Sequence, residues 1–298
     1  MSIPIIKIYE IFGKFFTKHS LIKIDSDFCQ LLKEDSIMLD ENSKKLISPN
    51  IQEAISEALS KHEYVFVKLN NKSATDASFM VTQLKCFTID EIIMIIKGSQ
   101  RIMDNFDYNN DNNNILILKE WYKIEHRNEF RCFVINNQLK GISQRYLDLY
   151  EKYEEDELKN IKTRIIDFIN NDISEGINSL VNEIKKENNE IYIIFDLVYL
   201  QKKDKIKIID IEIDKETLTE NLKEDEEENE HEHKLKLYDS WDELKKVEKV
   251  EDIELRYIQN ENDERIVKPS ENINQFPLEL FETDIETLIQ KINTKNNL

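Results

Sequence analysis

The sequence predicts an α+β protein with mainly antiparallel sheets, and three observations support that fold class. Two apolar, β-branched stretches flank a polar turn between residues 191 and 213, which is the pattern of a β-hairpin. A second pair of such stretches flanks Asn136 and Asn137. Residues 151–187 instead carry an apolar stripe at helical spacing. The chain is therefore expected to combine hairpins with packed helices.

The composition bounds the class of protein. A chain of 298 residues with 40% hydrophobic residues can bury one large core or two lobes. The net charge of −19 disfavours nucleic acid as a partner and favours a basic protein or simply high solubility. No apolar run approaches the roughly 20 residues of a membrane span, and the N-terminus lacks the features of a signal peptide. We expect a monomer without a membrane partner.

The cysteine and glycine residues narrow the options further. Three widely spaced cysteines, Cys29, Cys86 and Cys132, indicate reduced thiols and a cytoplasmic protein. Only four glycines are present, and their positions exclude the glycine-rich loops that cradle phosphates in Rossmann and P-loop proteins. A nucleotide site in this chain would have to hold phosphates with Lys and Arg side chains.

The N-terminal third is predicted to be mostly helical over residues 1–60 and then to alternate strands with helices. A helix follows a cap at Ser48 or Asn50, and Thr88 with Glu91 forms a capping box for the next one. Residues 64–70 and 115–121 are predicted strands. Lys68 lies on the first of these, where it is either an exposed strand lysine or a site residue.

Arg131 lies in the middle of the predicted strand 130–135, among apolar residues. An arginine in that position is either an edge residue or is directed at an anion, and its planar fork suits phosphate. The sequence leaves these two alternatives open.

Three carboxylates lie on the hairpin of residues 191–213. Asp210 and Glu212 are two apart and share one face of a strand, and Asp196 joins them if the turn pairs it with Asp210. The three groups would then lie within about 5–7 Å of one another, where a hard cation such as Mg²⁺ would relieve their repulsion. The alternative is a solvated face with ordinary surface acids.

The C-terminal third contains a run of acidic residues over positions 224–232 that should not pack. His231 and His233 beside these acids could hold a metal weakly, but their composition favours a solvated insertion. Beyond it we predict an amphipathic segment from Trp241, a last strand at residues 256–258 and a final helix over residues 284–292.

Several stretches together resemble the eukaryotic cell-division-cycle protein 123 family over nearly the whole chain. The most specific are EFRCFV at residues 129–134 and GISQR at residues 141–145. Shorter matches accompany them in order: residues 67–70, 76–77, 84–86, 97–99, 118–121, 241–244 and 276–277, with the acids of the 191–213 hairpin.

The resemblance implies an ATP-grasp-like fold, in which two α+β lobes hold ATP and Mg²⁺ in a cleft. Lysines would lie near the phosphates, the strand ending at Trp121 would meet the adenine with its backbone, and arginines would face the triphosphate. The residues that the resemblance assigns to ATP are Lys68, Lys97, Lys119, Glu120, Trp121, Glu129, Arg131, Arg145 and Asp196. The metal ligands would be Asp196, Asp210 and Glu212.

The resemblance also implies a domain organisation and one departure. Residues 1–118 would form an N-terminal lobe, 119–213 a central nucleotide-binding lobe with the metal hairpin, 214–236 an acidic disordered insertion, and 237–298 a segment packed back on the lobes. The family usually ends its metal strand with Asp-x-Asn-Pro, whereas residues 210–213 here are Asp-Ile-Glu-Ile. Glu212 retains an oxygen ligand but adds charge and reach.

Three functions are weighed, and the first is the one that the resemblance implies. The first is an assembly chaperone, not an enzyme, that binds ATP·Mg²⁺ and the gamma subunit of eukaryotic translation initiation factor 2 and promotes formation of the trimeric factor. The second is an ATP-grasp ligase that activates a carboxylate by phosphoryl transfer, although no Cys–His or Ser–His pairing suggests a covalent nucleophile. The third is a scaffold that has lost nucleotide binding through Glu212.

Overall fold

The fold consists of two β-sheets with helices packed around them, so the α+β class is confirmed. The computed structural model describes residues 3–34, 36–37, 39–104, 106, 114–148, 150–184, 190–214 and 235–266. The four-stranded sheet has the order β1-β4-β2-β3 and the five-stranded sheet the order β8-β7-β5-β6-β9. None of the helices in these ranges combines the length and apolar character that a membrane crossing requires.

The bounds of the elements are as follows. The strands are β1 (His19–Lys23), β2 (Val65–Leu69), β3 (Lys72–Ser73), β4 (Ile115–Glu120), β5 (Glu129–Ile135), β6 (Gln138–Gln144), β7 (Tyr192–Leu200), β8 (Lys205–Ile213) and β9 (Leu255–Arg256). The helices are α1 (Ile5–Phe12), α2 (Ser26–Lys33), α3 (Pro49–Lys61), α4 (Ile89–Gly98), α5 (Gln100–Met103), α6 (Glu155–Asp167), α7 (Ser174–Ile184) and α8 (Trp241–Lys245).

The four-stranded sheet is antiparallel, with β4 hydrogen-bonded to β1 on one side and β2 on the other. Alternation along β4 sends Leu116 and Leu118 into a core with α2, α3 and α4. The same alternation sends Ile117 to the opposite face, where it joins the core of the second sheet. Lys119 is on the Ile117 face, and this places its side chain toward the second sheet.

The predicted capping box of α4 is confirmed. The Thr88 hydroxyl accepts a hydrogen bond from the Glu91 amide at 3.1 Å, and the Glu91 carboxylate accepts one from the Thr88 amide at 3.1 Å. Two of the otherwise unsatisfied amides at the helix start are thereby paired.

The five-stranded sheet contains the two hairpins that the sequence predicts. β5 and β6 turn at Asn136, which adopts a left-handed conformation (φ 57°), and β7 and β8 turn over Gln201–Lys203. The short β9 adds to β6 in parallel. One face packs against α1, α6 and α7, and the other is partly covered by residues 235–244.

Gly141 of β6 allows this covering segment to approach closely. A Cβ atom built at Gly141 would lie 2.6 Å from the Leu244 side chain and 2.6 Å from the Tyr238 ring. Tyr238 also donates from its hydroxyl to the Glu254 carbonyl at 2.8 Å. The covering segment, residues 235–244, therefore packs directly on the backbone of β6.

Two local features add to or differ from the predictions. The described part of residues 1–60 is mostly helical, as predicted, but His19–Lys23 forms β1 and pairs with β4; there the tertiary pairing outweighs local preference. Ser48 precedes α3 as expected of a cap, but its side chain makes no capping hydrogen bond.

Other predictions lie wholly or largely outside the described residues. These are the acidic insertion over residues 214–236, of which only Asp214, Leu235 and Lys236 are described, and the final helix over residues 284–292. The predicted lobe limits stay predictions, and β4 runs across the expected limit between residues 118 and 119.

By its internal contacts the chain divides into two units. The first comprises residues 1–145 with 153–257 and contains both sheets and helices α1–α8. The second comprises residues 146–152 with 258–298. In its described part, the Asp263 carboxylate accepts from the amides of Gln259 and Arg265 and closes a turn.

Candidate functional site

Two lysines of the four-stranded sheet reach adjacent residues of β8, the edge strand of the five-stranded sheet. Lys68 Nζ donates to Asp210 Oδ1 at 2.7 Å, and Lys119 Nζ donates to the Ile209 carbonyl oxygen at 2.5 Å. Both lysines are buried. The reading of Lys68 as an exposed strand lysine is therefore excluded.

A network of two arginines and two carboxylates lies on the face of the five-stranded sheet that also carries Asp210. The Arg131 guanidinium donates two hydrogen bonds, of 2.8 and 2.9 Å, to the Asp196 carboxylate. Arg145 donates to Asp196 at 3.0 Å and to Glu129 at 2.5 Å. Because β5 lies between β7 and β6, Arg131 is not an edge residue. Its fork is matched to a carboxylate, which is the geometry that also suits a phosphate.

The predicted register of the carboxylate hairpin is confirmed, since Asp196 pairs directly with Asp210. Glu212 lies opposite Ile194, one step further along the same face. The three carboxylates thus share one face of the hairpin, and their convergence on a cation stays a prediction, since no three His, Cys, Asp or Glu side chains of the described residues form a ready metal site. Two of the three are engaged by cations: Arg131 and Arg145 form ion pairs with Asp196, and Lys68 forms one with Asp210.

The network shifts the pKa values of its members in opposite directions. Burial alone would raise the pKa of Asp196, but Arg145 and Arg131 outweigh it and lower this pKa to about 2. Burial raises the pKa of Glu129 above its usual value, although Arg145 opposes the shift. Burial, reinforced by the charge of Lys68, lowers the pKa of Lys119 to about 7.

Three further residues of the predicted site point elsewhere. Lys97 donates to the Leu31 carbonyl at the end of α2 at 2.9 Å. Glu120 accepts from the Tyr122 hydroxyl and forms an ion pair with Lys18. The Trp121 indole donates to the Gln83 carbonyl at 2.8 Å.

The backbone of this strand end is also engaged. The amide of Glu120 donates to the Lys18 carbonyl at 2.8 Å, and the amide of Trp121 donates to the Tyr64 carbonyl at 2.9 Å. Any contact of this strand with an adenine would therefore use carbonyl groups or residues beyond Trp121.

Three residues near the site were not predicted from the sequence. Tyr9 and Phe16 from the N-terminal segment lie against the Lys119 ammonium, and the charge of Lys236 helps to lower the pKa of Asp196. Tyr9, Phe12 and Phe16 are spaced as a helical apolar stripe, which could have indicated their burial. Lys236 has a left-handed backbone (φ 60°), a feature that the sequence does not reveal.

The donor set fits a phosphate ligand accompanied by a divalent cation. Lys68, Lys119, Arg131 and Arg145 provide cationic donors, and Asp196, Asp210 and Glu212 provide carboxylate oxygens of the kind that Mg²⁺ prefers. Lys68, Arg131 and Arg145 form ion pairs with carboxylates of this region, so a phosphate and a cation would exchange partners with them.

The fold matches a solved structure closely enough to define its class. The chain superimposes on the structure of Cdc123 from Schizosaccharomyces pombe with a TM-score of 0.60 and 23% sequence identity, over 86% of this chain and 95% of that chain. This likeness establishes an α+β fold of the Cdc123 type.

The sequence comparison establishes the family. The D123 family model matches residues 40–284, and the chain therefore belongs to the D123 family. Curated relatives named translation initiation factor eIF2 assembly protein include one from Dictyostelium discoideum, 37% identical over 120 residues, which are 37% of this chain and 31% of the relative. Another, from Xenopus tropicalis, is 36% identical over 143 residues, which are 41% of this chain and 43% of the relative. The chain thus spans less than half the length of these two relatives.

Proposed function

We propose that this chain is an ATP- and Mg²⁺-binding assembly factor for eukaryotic translation initiation factor 2 that acts in the cytoplasm through the factor's gamma subunit. Membership of the D123 family and the names of the curated relatives support the role in assembly. The observation that carries the nucleotide part is the partly buried set of cations and carboxylates centred on Asp196 and Asp210.

The side chains divide into two sets for such a ligand. Lys68 and Lys119 from the four-stranded sheet, with Arg131 and Arg145 from the five-stranded sheet, would bind phosphate oxygens. Asp196, Asp210 and Glu212 would bind the cation. When bound, the nucleotide and its metal would add charged contacts between the two sheets.

Burial of the donors supports this assignment over a structural role alone. Replacing a buried ion pair by apolar residues is often neutral or stabilising, so such pairs are weak devices for stability. In this protein the exposed fraction of the side chain is 4% for Lys68 and 5% for Asp196. A charged cluster at this depth is typical of a binding site.

The nucleotide proposal is tested by calorimetry of the full chain with ATP and Mg²⁺. Lys68→Met should weaken binding at least about tenfold, because a charge-assisted phosphate contact contributes roughly 1.5–3 kcal/mol. Lys97→Met is the matched control: it removes a lysine of the predicted set whose ammonium is bound to the Leu31 carbonyl. Equal losses in both variants, or no heat with the parent chain, would contradict this part.

The assembly proposal is tested separately by capture of the purified gamma subunit on the immobilised full chain, with and without ATP·Mg²⁺. We expect capture that ATP·Mg²⁺ strengthens and that Asp210→Ala no longer enhances. No recovery of the gamma subunit in either condition would overturn the assembly role. ADP release stimulated by a small carboxylate would instead favour the ligase.

A further inference from the structure

Lys119 and Lys68 lie on one face of the four-stranded sheet, yet their ammonium groups are held differently. The Lys68 ammonium contacts a carboxylate oxygen of Asp210 at 2.7 Å. The Lys119 ammonium contacts the Ile209 carbonyl oxygen and lies 4.7 Å from the centre of the Phe16 ring and 5.7 Å from that of Tyr9. Within the described part of the chain, no carboxylate is within ion-pair distance of Lys119.

The carbonyl that accepts from Lys119 is made available by a bulge in β8. Asp196 pairs with Asp210 and Leu197 pairs with Ile208, so Ile209 has no partner residue on β7. A bulge of this kind bends the strand and redirects its groups beside functional sites. Here it turns a carbonyl oxygen toward the four-stranded sheet, next to Asp210.

The two rings form a rigid pair. Tyr9 and Phe16 are stacked with centroids 4.3 Å apart and an angle of 18° between their planes. The His19 ring packs edge-on against Tyr9 at 4.6 Å. The faces of aromatic rings attract a cation electrostatically, and most strongly where water is excluded; Phe16 is 3% exposed.

The segment that carries the rings is fixed to the five-stranded sheet, whereas Lys119 belongs to the other sheet. Phe12 packs edge-on against Phe195 of β7 at 5.7 Å, and Phe16 forms a parallel bridge to Ile208 of β8. Lys207 of β8 donates to the Lys14 carbonyl at 2.9 Å. The family match begins at residue 40, so this N-terminal segment lies outside it.

We propose that Tyr9 and Phe16 are positioning residues of the nucleotide site, which hold the Lys119 ammonium beside Asp210 and leave it available to a phosphate oxygen. The inference rests on the proposed function for the identity of its ligand. A carboxylate partner would compete with the phosphate for this ammonium, whereas a ring attracts the cation without occupying its hydrogen-bond donors. The N-terminal segment thus completes the site.

The first test is Phe16→Leu, which keeps apolar bulk and removes the ring face. We expect the Kd for ATP·Mg²⁺, measured by calorimetry, to rise about three- to thirtyfold, the range spanned by cation–π contacts. Phe12→Leu is the matched control on the same segment, because Phe12 is buried against Phe195. It should lower the melting temperature similarly and leave this Kd unchanged.

A double-mutant cycle separates positioning from general packing. In the Lys119→Met background, Phe16→Leu should weaken ATP·Mg²⁺ binding no further, because the cation that the ring holds is gone. Tyr9→Leu removes the second ring face and should raise the Kd in the parent chain but not in the Lys119→Met background. Equal weakening by Phe12→Leu and Phe16→Leu, or full additivity of Phe16→Leu with Lys119→Met, would overturn the inference.

The same cycle is run without nucleotide, by thermal unfolding of the full chain. Non-additive shifts in melting temperature for Phe16→Leu and Lys119→Met are expected, and additive shifts would refute the contact itself. Failure of the parent to bind ATP would overturn the proposed function and the ligand named here, whereas the nucleotide-free cycle would still decide whether the rings hold Lys119.

Discussion

One face of the five-stranded sheet is divided into two halves of opposite character. Toward one end it carries Glu129, Arg131, Arg145, Asp196 and Asp210, which are joined by ion pairs or paired in register. Toward the other end the same strands carry Phe133, Ile135, Tyr192 and Ile194. The change takes place within two residues, between Arg131 and Phe133 on β5 and between Asp196 and Ile194 on β7.

The two halves are closed in different ways. The covering segment packs on the apolar half. The centroid of its Trp241 ring lies 4.7 Å from that of Tyr192 and 5.8 Å from that of Phe133. The charged half is closed by ion pairs to Arg145 and Lys68. Because apolar burial stabilises a fold far more reliably than buried ion pairs do, we infer that the apolar half supports the sheet and the charged half serves binding.

The largest effect is expected from Asp196→Ala, which leaves Arg131 and Arg145 buried with Glu129 as their remaining partner in this network. Removing one partner of a buried ion pair costs roughly 3–5 kcal/mol. We expect a loss of about 4 kcal/mol in the free energy of unfolding by urea, together with loss of ATP·Mg²⁺ binding. Ile194→Ala, two residues away on the same face, should also destabilise the fold but leave ATP binding intact. Loss of binding in both variants would mean that the halves do not differ in role.

The apolar half is tested by Trp241→Ala. Truncation of a buried tryptophan costs about 3 kcal/mol or more, and the change also removes the indole hydrogen bond to the buried Asp214 carboxylate at 2.8 Å. We expect a lower urea midpoint with ATP affinity within about twofold of the parent at 10 °C, because this half makes no proposed ligand contact. A greater loss of affinity than of stability would join the two halves into one functional surface.

The charged half should give a defined response to acid. The pKa of Asp196 is about 2 in the folded protein, below its ordinary value of 3.8. The ionised Asp196 carboxylate therefore stabilises the folded protein by about 2 kcal/mol at pH values above 3.8, and this contribution is lost as the pH falls toward 2. The difference in unfolding free energy between the parent and Asp196→Asn should shrink over this window. A constant difference from pH 5 to pH 2 would contradict the assignment.

The smallest effect is expected at the rim of the apolar half. Lys245 forms an ion pair with Glu190 at 3.0 Å and lies over the Tyr192 ring at 5.3 Å. Both charged side chains are partly exposed, so Lys245→Ala should cost only about 0.5 kcal/mol and nothing in 1 M salt. Urea unfolding at two salt concentrations measures this, and a salt-independent loss above about 1 kcal/mol would show that the rim pair behaves like a buried one.

The sequence predicted the elements that depend on local pattern. The capping box at Thr88 followed from residue type and spacing. The pairing of Asp196 with Asp210 was only assumed from the sequence. It depends on the bulge, because the pairing that starts at the turn with Leu200 and Lys205 would otherwise place Ile209 opposite Asp196. Membership of the family followed from stretches such as residues 129–134, where several uncommon residues occur together.

Other features arise from contacts between distant parts of the chain and leave no local trace. The carbonyl at the Ile209 bulge accepts from Lys119 of the four-stranded sheet, and β1 pairs with the distant β4. The ion-pair partners of Asp196 and Asp210 come from three other strands or strand ends, so their identity could not be predicted locally. Phe16 is sequence-distant from Lys119, so only the folded chain brings them together.

The absence of a side chain at Gly141 allows the segment that carries Lys236, Tyr238 and Leu244 to pack closely on β6. A methyl group there would act as a wedge under Tyr238 and Leu244 and would lift the segment that also carries Lys236. The charge of Lys236 helps to lower the pKa of Asp196. Adding a methyl group in the apolar half would therefore change the electrostatic potential in the charged half.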